Sequence, residues 1–290
     1  MSRIVVLGDL NLDVHTRAPS ELAPGDESRN SVRATPGGSA GTFARIAAAQ
    51  GASVTFIGCV GSDLVGDLLV RSLEDAGVDA MVQRSDRPSG VILSLEQETE
   101  RTMICSRGAN DGIRADRIAA STFDDADHLH VSGYAFLSSA QRPAVEKVIR
   151  LARERGLTIS VDPPPANLIR DHGVEEFLDL VPARAWLFPN RSEGELLSGA
   201  SKARAIVDRL AVRFEVGALT LGAEGSLAWT GDARHAQTAD RLDAGDTTGA
   251  GDAFAGAFVT TFLDTEDLER ANAAACAAAR THLCAGRSAA

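Results

Sequence analysis

The chain has 290 residues, of which 44% are hydrophobic, and can therefore bury a full core in one large domain. Its formal net charge of −11 argues against a nucleic-acid backbone or an anionic membrane as the main partner. No segment is apolar for long enough to span a bilayer, and the N-terminus lacks a signal-peptide pattern. We therefore expect a cytoplasmic protein whose four cysteines, which form no CxxC pair, stay reduced.

Short apolar runs recur along the chain, and each ends in a turn-forming or polar residue. Segments with helical periodicity separate most of them, so the sequence predicts an α/β fold with a mostly parallel sheet covered by helices on both faces. The predicted strands are 3–9, 53–61, 128–133, 157–162, 185–190 and 217–222, and the helices include 64–76, 139–155 and 201–213. In such sheets ligands bind outside the carboxyl ends of the strands.

Two stretches interrupt this alternation. Residues from about 12 to 36 and from about 88 to 107 show the alternating pattern of exposed β-ribbons. Together they predict a small sheet, a lid, over the strand ends. After residue 226 we expect an edge hairpin and two helices, 249–263 and 266–282, and we expect residues 1–290 to form a single domain.

The stretch DAGDTTGAGDAFAG at 243–256 places aspartates among glycines just before an apolar helix. A P-loop needs a lysine after the glycines, and a dinucleotide fingerprint needs a preceding buried strand; neither is present. Gly249, Ala250 and Gly251 can instead present backbone N–H groups to the charge on a transferring phosphoryl group. Asp252 beside them would accept the proton of the attacking hydroxyl. The alternative is an ordinary glycine turn with a capping aspartate.

The stretch DTTGAGD at 246–252 resembles the C-terminal signature of the ribokinase-like (PfkB) family of carbohydrate kinases. Four further elements match that family in the expected order. They are the glycine pair 37–38, GCVGSDLVG at 58–66, NRSE at 190–193 and TLGAEG at 220–225. The resemblance implies a ribokinase-like fold and ATP-dependent phosphotransfer to a hydroxyl of a small sugar, with Mg²⁺.

The resemblance also assigns roles to single residues. It makes Asp252 the general base and 249–252 the anion hole, and it places Mg²⁺ near Glu193 through water. The cofactor-binding residues it implies for ATP are Asn190, Glu193, Thr220, Gly222, Gly225 and Asn272. For Asn190 and Glu193 the alternative is a turn with a helix cap.

On the acceptor side, Asn11 and Asp13 are two apart on an extended segment, so both point to one face and could grip vicinal hydroxyls. The resemblance adds the glycines at 37 and 38. Thr42 stands where the family usually has asparagine, and Ser39 stands where ribokinases have lysine, which leaves the sugar open. Arg107, near Asn110, could bind a carboxylate of a sugar acid; the alternative is an exposed arginine at a ribbon end. These residues (Asn11, Asp13, Gly37, Gly38, Thr42, Arg107) form the predicted acceptor site.

Asp246, Thr248 and Ser288 match positions that hold a monovalent cation in some relatives, so a potassium site stays open. Asp162 follows a strand near the acceptor side and is a further candidate. His128 and His130 share one strand face, but they lack a third ligand, and packed histidines are the favoured interpretation.

Three alternatives accompany the sugar kinase. The first is a nucleoside kinase of the same family, of the adenosine or pseudouridine type, although residues 88–110 offer no aromatic side chain to stack on a base. The second is a catalytically silent relative that only binds, and the third is a dehydrogenase. Exposed ribbons need covering, and relatives use them to dimerise, so we expect a homodimer.

Overall fold

The computed structural model describes residues 1–17, 27, 29–97, 100–239 and 248–288. Its strands, in chain order, are β1 (Arg3–Leu7), β2 (Asn11–Arg17), β3 (Val32–Gly37), β4 (Ser53–Gly61), β5 (Asp79–Ser85), β6 (Gly90–Gln97), β7 (Glu100–Ser106), β8 (His128–Ser132), β9 (Thr158–Asp162), β10 (Trp186–Leu187), β11 (Val216–Thr220), β12 (Ser226–Thr230) and β13 (Ala233–Gln237).

The α-helices are α1 (Ser39–Ala49), α2 (Leu64–Glu74), α3 (Gly133–Leu137), α4 (Arg142–Glu154), α5 (Ala166–His172), α6 (Val174–Leu180), α7 (Arg191–Ser198), α8 (Ala203–Leu210), α9 (Ala250–Thr265) and α10 (Leu268–Ser288). In the described part of the chain, no helix combines the length and the apolar character that a membrane span requires.

The larger sheet has nine described strands in the order β13-β12-β11-β10-β9-β8-β1-β4-β5. The pairs from β5 to β11 are parallel, and the hairpin β12–β13 is antiparallel at one edge. This confirms the predicted α/β class, and the predicted edge hairpin is present. The strand β5 at the opposite edge was not predicted, because its sequence DAMVQRS carries polar residues at most positions.

The central strand β1 shows why these runs are continuously apolar. Ile4 and Val6 point into one hydrophobic cluster, which includes side chains of α1 and α9. Val5 and Leu7 point to the opposite face, into a cluster with α4 and α6. A strand buried on both faces has no solvent side on which to place polar residues.

The second sheet is the predicted lid. Its order is β3-β2-β6-β7, with β2 and β6 parallel and the other pairs antiparallel. Along β2 the residues Asn11, Asp13 and His15 are buried, while Leu12 and Val14 between them are half-buried. One face of this lid sheet is therefore polar and turned inward.

Strand ends and helix starts meet at one edge of the larger sheet. Asp9 follows β1, Gly133 follows β8, and Asp162 ends β9. Asn190 forms a parallel bridge to Thr220 at the end of β11, although β10 itself has ended three residues earlier. The parallel register thus brings residues from five strands to the edge that the lid sheet adjoins.

Candidate active site

Helix α9 begins with a turn whose amides are available to a ligand. Gly249 precedes the helix with a φ of 76°, in the left-handed region that favours glycine. Among the residues that the structure describes, the N–H groups of 249–252 donate to no acceptor. Nothing lies within 4 Å of the point where a Cβ on Gly251 would sit. The start of α9 is thus open to an anion.

Asp252, in the first turn of α9, lies among other carboxyl groups. Asp162 is the hydrogen-bond partner of its carboxylate, and the Ser39 side chain lies close to it. Burial raises the pKa of Asp252. Burial, together with the charge of Asp252, raises the pKa of Asp162 well above its usual range. Asp162 is therefore the protonated partner and donates to an ionised Asp252, whose affinity for a further proton is above the ordinary value.

On the acceptor side, Asn11 is fixed by a buried network. The Asn110 amide donates to Asn11 Oδ1 at 2.8 Å, and Leu10 N–H donates to Asn110 Oδ1 at 2.9 Å. The Asn11 amide donates to Asp9 Oδ2 at 3.0 Å. Asp9 also accepts from Ser132 Oγ at 3.0 Å. Asn110 thus holds the segment that carries Asn11, a positioning contact that spacing in the sequence did not indicate.

One carboxylate oxygen of Asp13 lacks a hydrogen-bond partner in the described residues. Its Oδ1 is buried and, within the described residues, accepts no hydrogen bond. Burial raises the pKa of Asp13 from 3.8 to about 7. A Cβ on Gly37 would lie 2.0 Å from Asp13 Oδ2, so only glycine leaves room for the carboxylate there. The structure places Asp13 and Gly37 together, with the carboxylate over the glycine.

The start of α1 lies beside the segment that follows β1. Gly38 caps α1 with a φ of 90°, and a Cβ there would lie 2.5 Å from the Asp9 carbonyl. Thr42 is buried, and its hydroxyl accepts from Arg45 Nη2 at 3.1 Å. Its methyl lies near Gly249, 3.5 Å from the point where a Cβ would sit. Thr42 therefore connects α1 to the start of α9. The family's usual asparagine at this position did not suggest such a contact.

Arg107 stands at the end of β7. Its Nε donates to Asp111 at 2.9 Å, and Ser138 donates to the same oxygen at 2.9 Å. The Nη2 of Arg107 is buried and has no hydrogen-bond partner in the described chain. Arg45 Nη1 is buried and unpartnered in the same sense. Arg107 is thus anchored through Nε, while Nη2 stays buried without a hydrogen-bond partner in the described chain.

On the nucleotide side, Asn190 and Glu193 form a reciprocal capping box at the start of α7. Asn190 Oδ1 accepts from Glu193 N–H at 3.0 Å, and Glu193 Oε2 accepts from Asn190 N–H at 2.9 Å. Burial raises the pKa of Glu193 to about 8, and the charge of Asp252 contributes. The helix cap that the sequence offered as the alternative for these two residues is therefore present. The carboxylate of Glu193 also lies within electrostatic reach of Asp252.

The loop after β11 leaves space beside Asn190. Thr220 is half-buried next to it, and Gly222 is exposed with nothing within 4 Å of the point where a Cβ would sit. Gly225 is buried where the hairpin begins. Asn272 is fully buried, and its amide is occupied, because Oδ1 accepts from Ser226 at 2.6 Å and Nδ2 donates to the His235 carbonyl at 3.1 Å. Asn272 holds α10 to the hairpin and offers no exposed polar atom to adenine.

Two members of the predicted monovalent-cation site, Thr248 and Ser288, lie in the described part of the chain. Asp246 lies outside the described residues. The tail from 284 to Ser288 lies inside helix α10. Thr248, the third member, accepts a hydrogen bond from a histidine at its carbonyl. An Ala-rich sequence favours helix, which is why the tail stays helical.

No group of three or more histidine, cysteine, aspartate or glutamate side chains in the described residues is arranged to hold a metal ion. His128 bonds to Thr158 and Ser160 at 2.7 Å each, and His130 stacks on Phe43. Burial lowers the pKa of His128 to about 3. These histidines are packed inside the fold, which confirms that interpretation.

Three residues near the site were missed by sequence reasoning. Tyr134, the single tyrosine, is half-buried, and the charges of Asp9 and Asp252 help burial to raise its pKa. Arg45 lies beside Thr42, and His282 contacts the start of α9 from α10. Only helical spacing from Thr42 could have indicated Arg45. Nothing local in the sequence links residue 282 to 249.

A buried carboxylate beside a helix start open to an anion, within electrostatic reach of buried polar residues of the second sheet, is typical of an enzyme that transfers a phosphoryl group to a hydroxyl. The sequence model described as "pfkB family carbohydrate kinase" matches residues 1–288. The chain therefore belongs to the PfkB family of carbohydrate kinases, and it is an ATP-dependent sugar or nucleoside kinase.

Similar proteins agree with this assignment. An ATP-dependent ribose-1-phosphate kinase of Halopiger xanaduensis is 32% identical over 279 residues, which cover 93% of this chain and 88% of that protein. The solved adenosine kinase of Sinorhizobium meliloti has a TM-score of 0.86 at 22% identity and covers 100% of this chain and 99% of its own. A solved E. coli structure in complex with ATP and Mg²⁺ has a TM-score of 0.82 at 22% identity, with 96% and 92% covered. The two structures show a shared fold.

Proposed function

We propose that the chain transfers the γ-phosphoryl group of Mg²⁺-bound ATP to a hydroxyl of a small sugar, with Asp252 as general base. The observation that carries this proposal is the placement of Asp252. Its carboxylate adjoins the open amides of 249–251 and lies within electrostatic reach of both Asp13 and Glu193. One carboxylate thus lies between the acceptor side and the nucleotide side of a single cleft.

The reaction follows from these positions. Asn11 and Asp13 orient the acceptor through its hydroxyls, since Asp13 Oδ1 is free to accept. Asp252 takes the proton of the reacting hydroxyl. The hydroxyl oxygen forms the new bond to the γ-phosphorus, and the bond between that phosphorus and the leaving ADP oxygen breaks. The N–H groups of 249–251 stabilise the charge on the group in transfer. Asp162 keeps Asp252 oriented through its hydrogen bond.

Glu193 is the residue that would serve Mg²⁺. Both its oxygens already bond to Asn190, at 2.9 Å and 2.6 Å, which fixes the carboxylate but leaves lone pairs for water. Mg²⁺ retains several waters and binds proteins through one or two carboxylates plus phosphates, so this donor set fits a water-mediated contact. When bound, the ion neutralises phosphate charge.

A variant pair tests this function. The wild type should consume ATP in a screen of pentoses, hexoses, ketoses, sugar acids and nucleosides. Asp252→Asn should lower kcat about 10²–10⁴-fold, or roughly 3–5 kcal/mol of barrier, because the proton acceptor is lost. Asp264→Asn, near the far end of the same helix, should leave kcat unchanged. Wild-type turnover in Asp252→Asn, or no ATP consumption with any acceptor, contradicts the proposal.

A second candidate acceptor class is an anionic sugar. Arg107 Nη2 and Arg45 Nη1 are buried without partners in the described chain, and a guanidinium nitrogen in that state favours a carboxylate or phosphate ligand. The relative named ribose-1-phosphate kinase acts on such an anion. If this class is right, acidic sugars should give a higher kcat/KM than neutral ones, and Arg107→Gln should abolish that preference. A preference that survives Arg107→Gln excludes Arg107 as its source.

We also propose that the outward face of the lid sheet joins two copies of the chain. Val32 and Ile104 are 64% and 59% exposed there, and exposed strands with apolar side chains need a cover. Analytical ultracentrifugation should show a dimer that Ile104→Lys dissociates. A wild-type monomer at all concentrations contradicts this arrangement.

A further inference from the structure

His282 reaches the start of α9 from the neighbouring helix α10. Its Nε2 lies 3.1 Å from the carbonyl oxygen of Thr248. A carbonyl oxygen only accepts hydrogen bonds, so Nε2 carries the hydrogen and donates it. The imidazole is also close to Gly249, since a Cβ there would lie 2.6 Å from Nε2. The glycine is therefore what allows the ring to reach the backbone.

The bonded carbonyl belongs to the same peptide group as the Gly249 N–H. That N–H has no acceptor among the described residues and is the first of the amides that can receive an anion. A hydrogen bond accepted by a peptide carbonyl polarises the group and strengthens its N–H as a donor. It also fixes the plane of the peptide, and therefore the direction in which the N–H points.

We propose that His282 is a positioning residue that orients and polarises the Gly249 amide, so that this amide stabilises the charge on the transferring phosphoryl group. The inference rests on the proposed function, because it assigns a purpose to that amide. A donor aimed at the phosphoryl group during transfer adds little to the binding of ATP in the ground state. The loss of His282 should therefore lower kcat and leave KM for ATP and for the acceptor almost unchanged.

The size of the effect follows from what is removed. Deleting a whole oxyanion donor lowers kcat about 10²–10³-fold. Here the donor remains and only its support is lost, so a decrease of about tenfold is expected. A residue that merely packs α10 against α9 would instead change thermal stability and both kinetic constants together.

The test compares variants of similar length. His282→Met fills the space without a donor, and kcat should fall about tenfold with each KM within about twofold. His282→Gln can place an amide N–H at a similar reach and should restore most of kcat. Thr281→Ala, at an exposed neighbour on the same helix turn, is the matched control and should behave as wild type. Circular dichroism and melting temperature establish that each variant folds.

Distinct outcomes separate the two claims. If the wild type transfers no phosphoryl group, the proposed function fails and the inference fails with it. If the wild type is active and His282→Met matches it, only the inference fails. If His282→Gln is as slow as His282→Met, the hydrogen bond is not the cause and the inference is overturned. Should His282→Met not fold, the neutral and donor-free His282→Leu replaces it in the comparison with Gln, and equal kcat values again overturn the inference.

Discussion

Asp13 should destabilise the protein whenever it is ionised and no acceptor is bound. Its pKa rises from 3.8 to about 7 because the folded chain buries it, and its Oδ1 has no partner in the described residues. The folded state then binds the proton more tightly than the unfolded state, so stability falls as pH rises through this range. Across the whole range the loss is about 4 kcal/mol, of which about 2 kcal/mol falls between pH 5.5 and 8.5.

The substitution Asp13→Asn removes this titration while keeping the shape of the side chain. Because asparagine stays neutral, the variant should gain on the wild type as pH rises. For a domain of this size the difference in melting temperature should grow by about 4 °C between pH 5.5 and 8.5. Differential scanning fluorimetry at closely spaced pH values measures it. The same variant should bind the acceptor poorly, since the charged oxygen that accepts a hydroxyl is gone.

An exposed aspartate provides the control for this experiment. Asp75 lies at the surface after α2, so Asp75→Asn removes one carboxylate without touching the buried site and is the matched control. A difference between Asp13→Asn and the wild type that stays constant with pH would mean that the buried carboxyl does not titrate as its surroundings imply. If Asp13→Asn instead lost stability relative to the wild type as pH rises, the sign would be opposite to the prediction and the reasoning would be refuted.

Three further predictions concern single contacts. Gly37→Ala should fold but raise the acceptor KM more than about tenfold, because its Cβ would displace the Asp13 carboxylate, 2.0 Å away; steady-state kinetics with unchanged melting temperature would show it. Glu193→Gln should keep the helix cap and raise the Mg²⁺ concentration needed for half-maximal rate, and an unchanged Mg²⁺ titration would exclude the assigned role. Burial lowers the pKa of His128 to about 3, whereas the pKa in the unfolded chain is 6.5. The protein should therefore lose stability as pH falls below 6.5, by about 1.4 kcal/mol at pH 5.5. Urea unfolding of His128→Asn should show a weaker acid dependence than the wild type.

The sequence predicted the parallel sheet because its strands are buried on both faces and therefore read as continuous apolar runs. It predicted the lid sheet from period-two alternation in β2 and β6. It missed β5, where an edge strand carries polar residues, and it ended the last helix at residue 282, although α10 continues to Ser288. Both errors arise where local sequence preference is weak and the neighbouring element decides the structure.

For the site, spacing along one strand was enough to pair Asn11 with Asp13, because alternation fixes which side chains share a face. Contacts between distant segments were beyond that reasoning. Asn110 supports Asn11 across 99 residues, and His282 meets Thr248 across 34. No periodic pattern encodes such pairs, so Asn110 could be placed near the acceptor but its role as a support could not be inferred.

The crowding of carboxyl groups explains why glycines and aspartates occur together at the start of α9. Burial raises the pKa of Asp13, Glu193, Asp162 and Asp252 alike, so each of these carboxyl groups binds a proton more tightly than an exposed carboxyl group does. Under the proposed function, three of these groups gain a partner when substrates bind: a hydroxyl for Asp13, hydrated Mg²⁺ for Glu193 and the reacting proton for Asp252. Ligands that partner these buried groups bind only the folded state, so substrates and Mg²⁺ should raise the melting temperature.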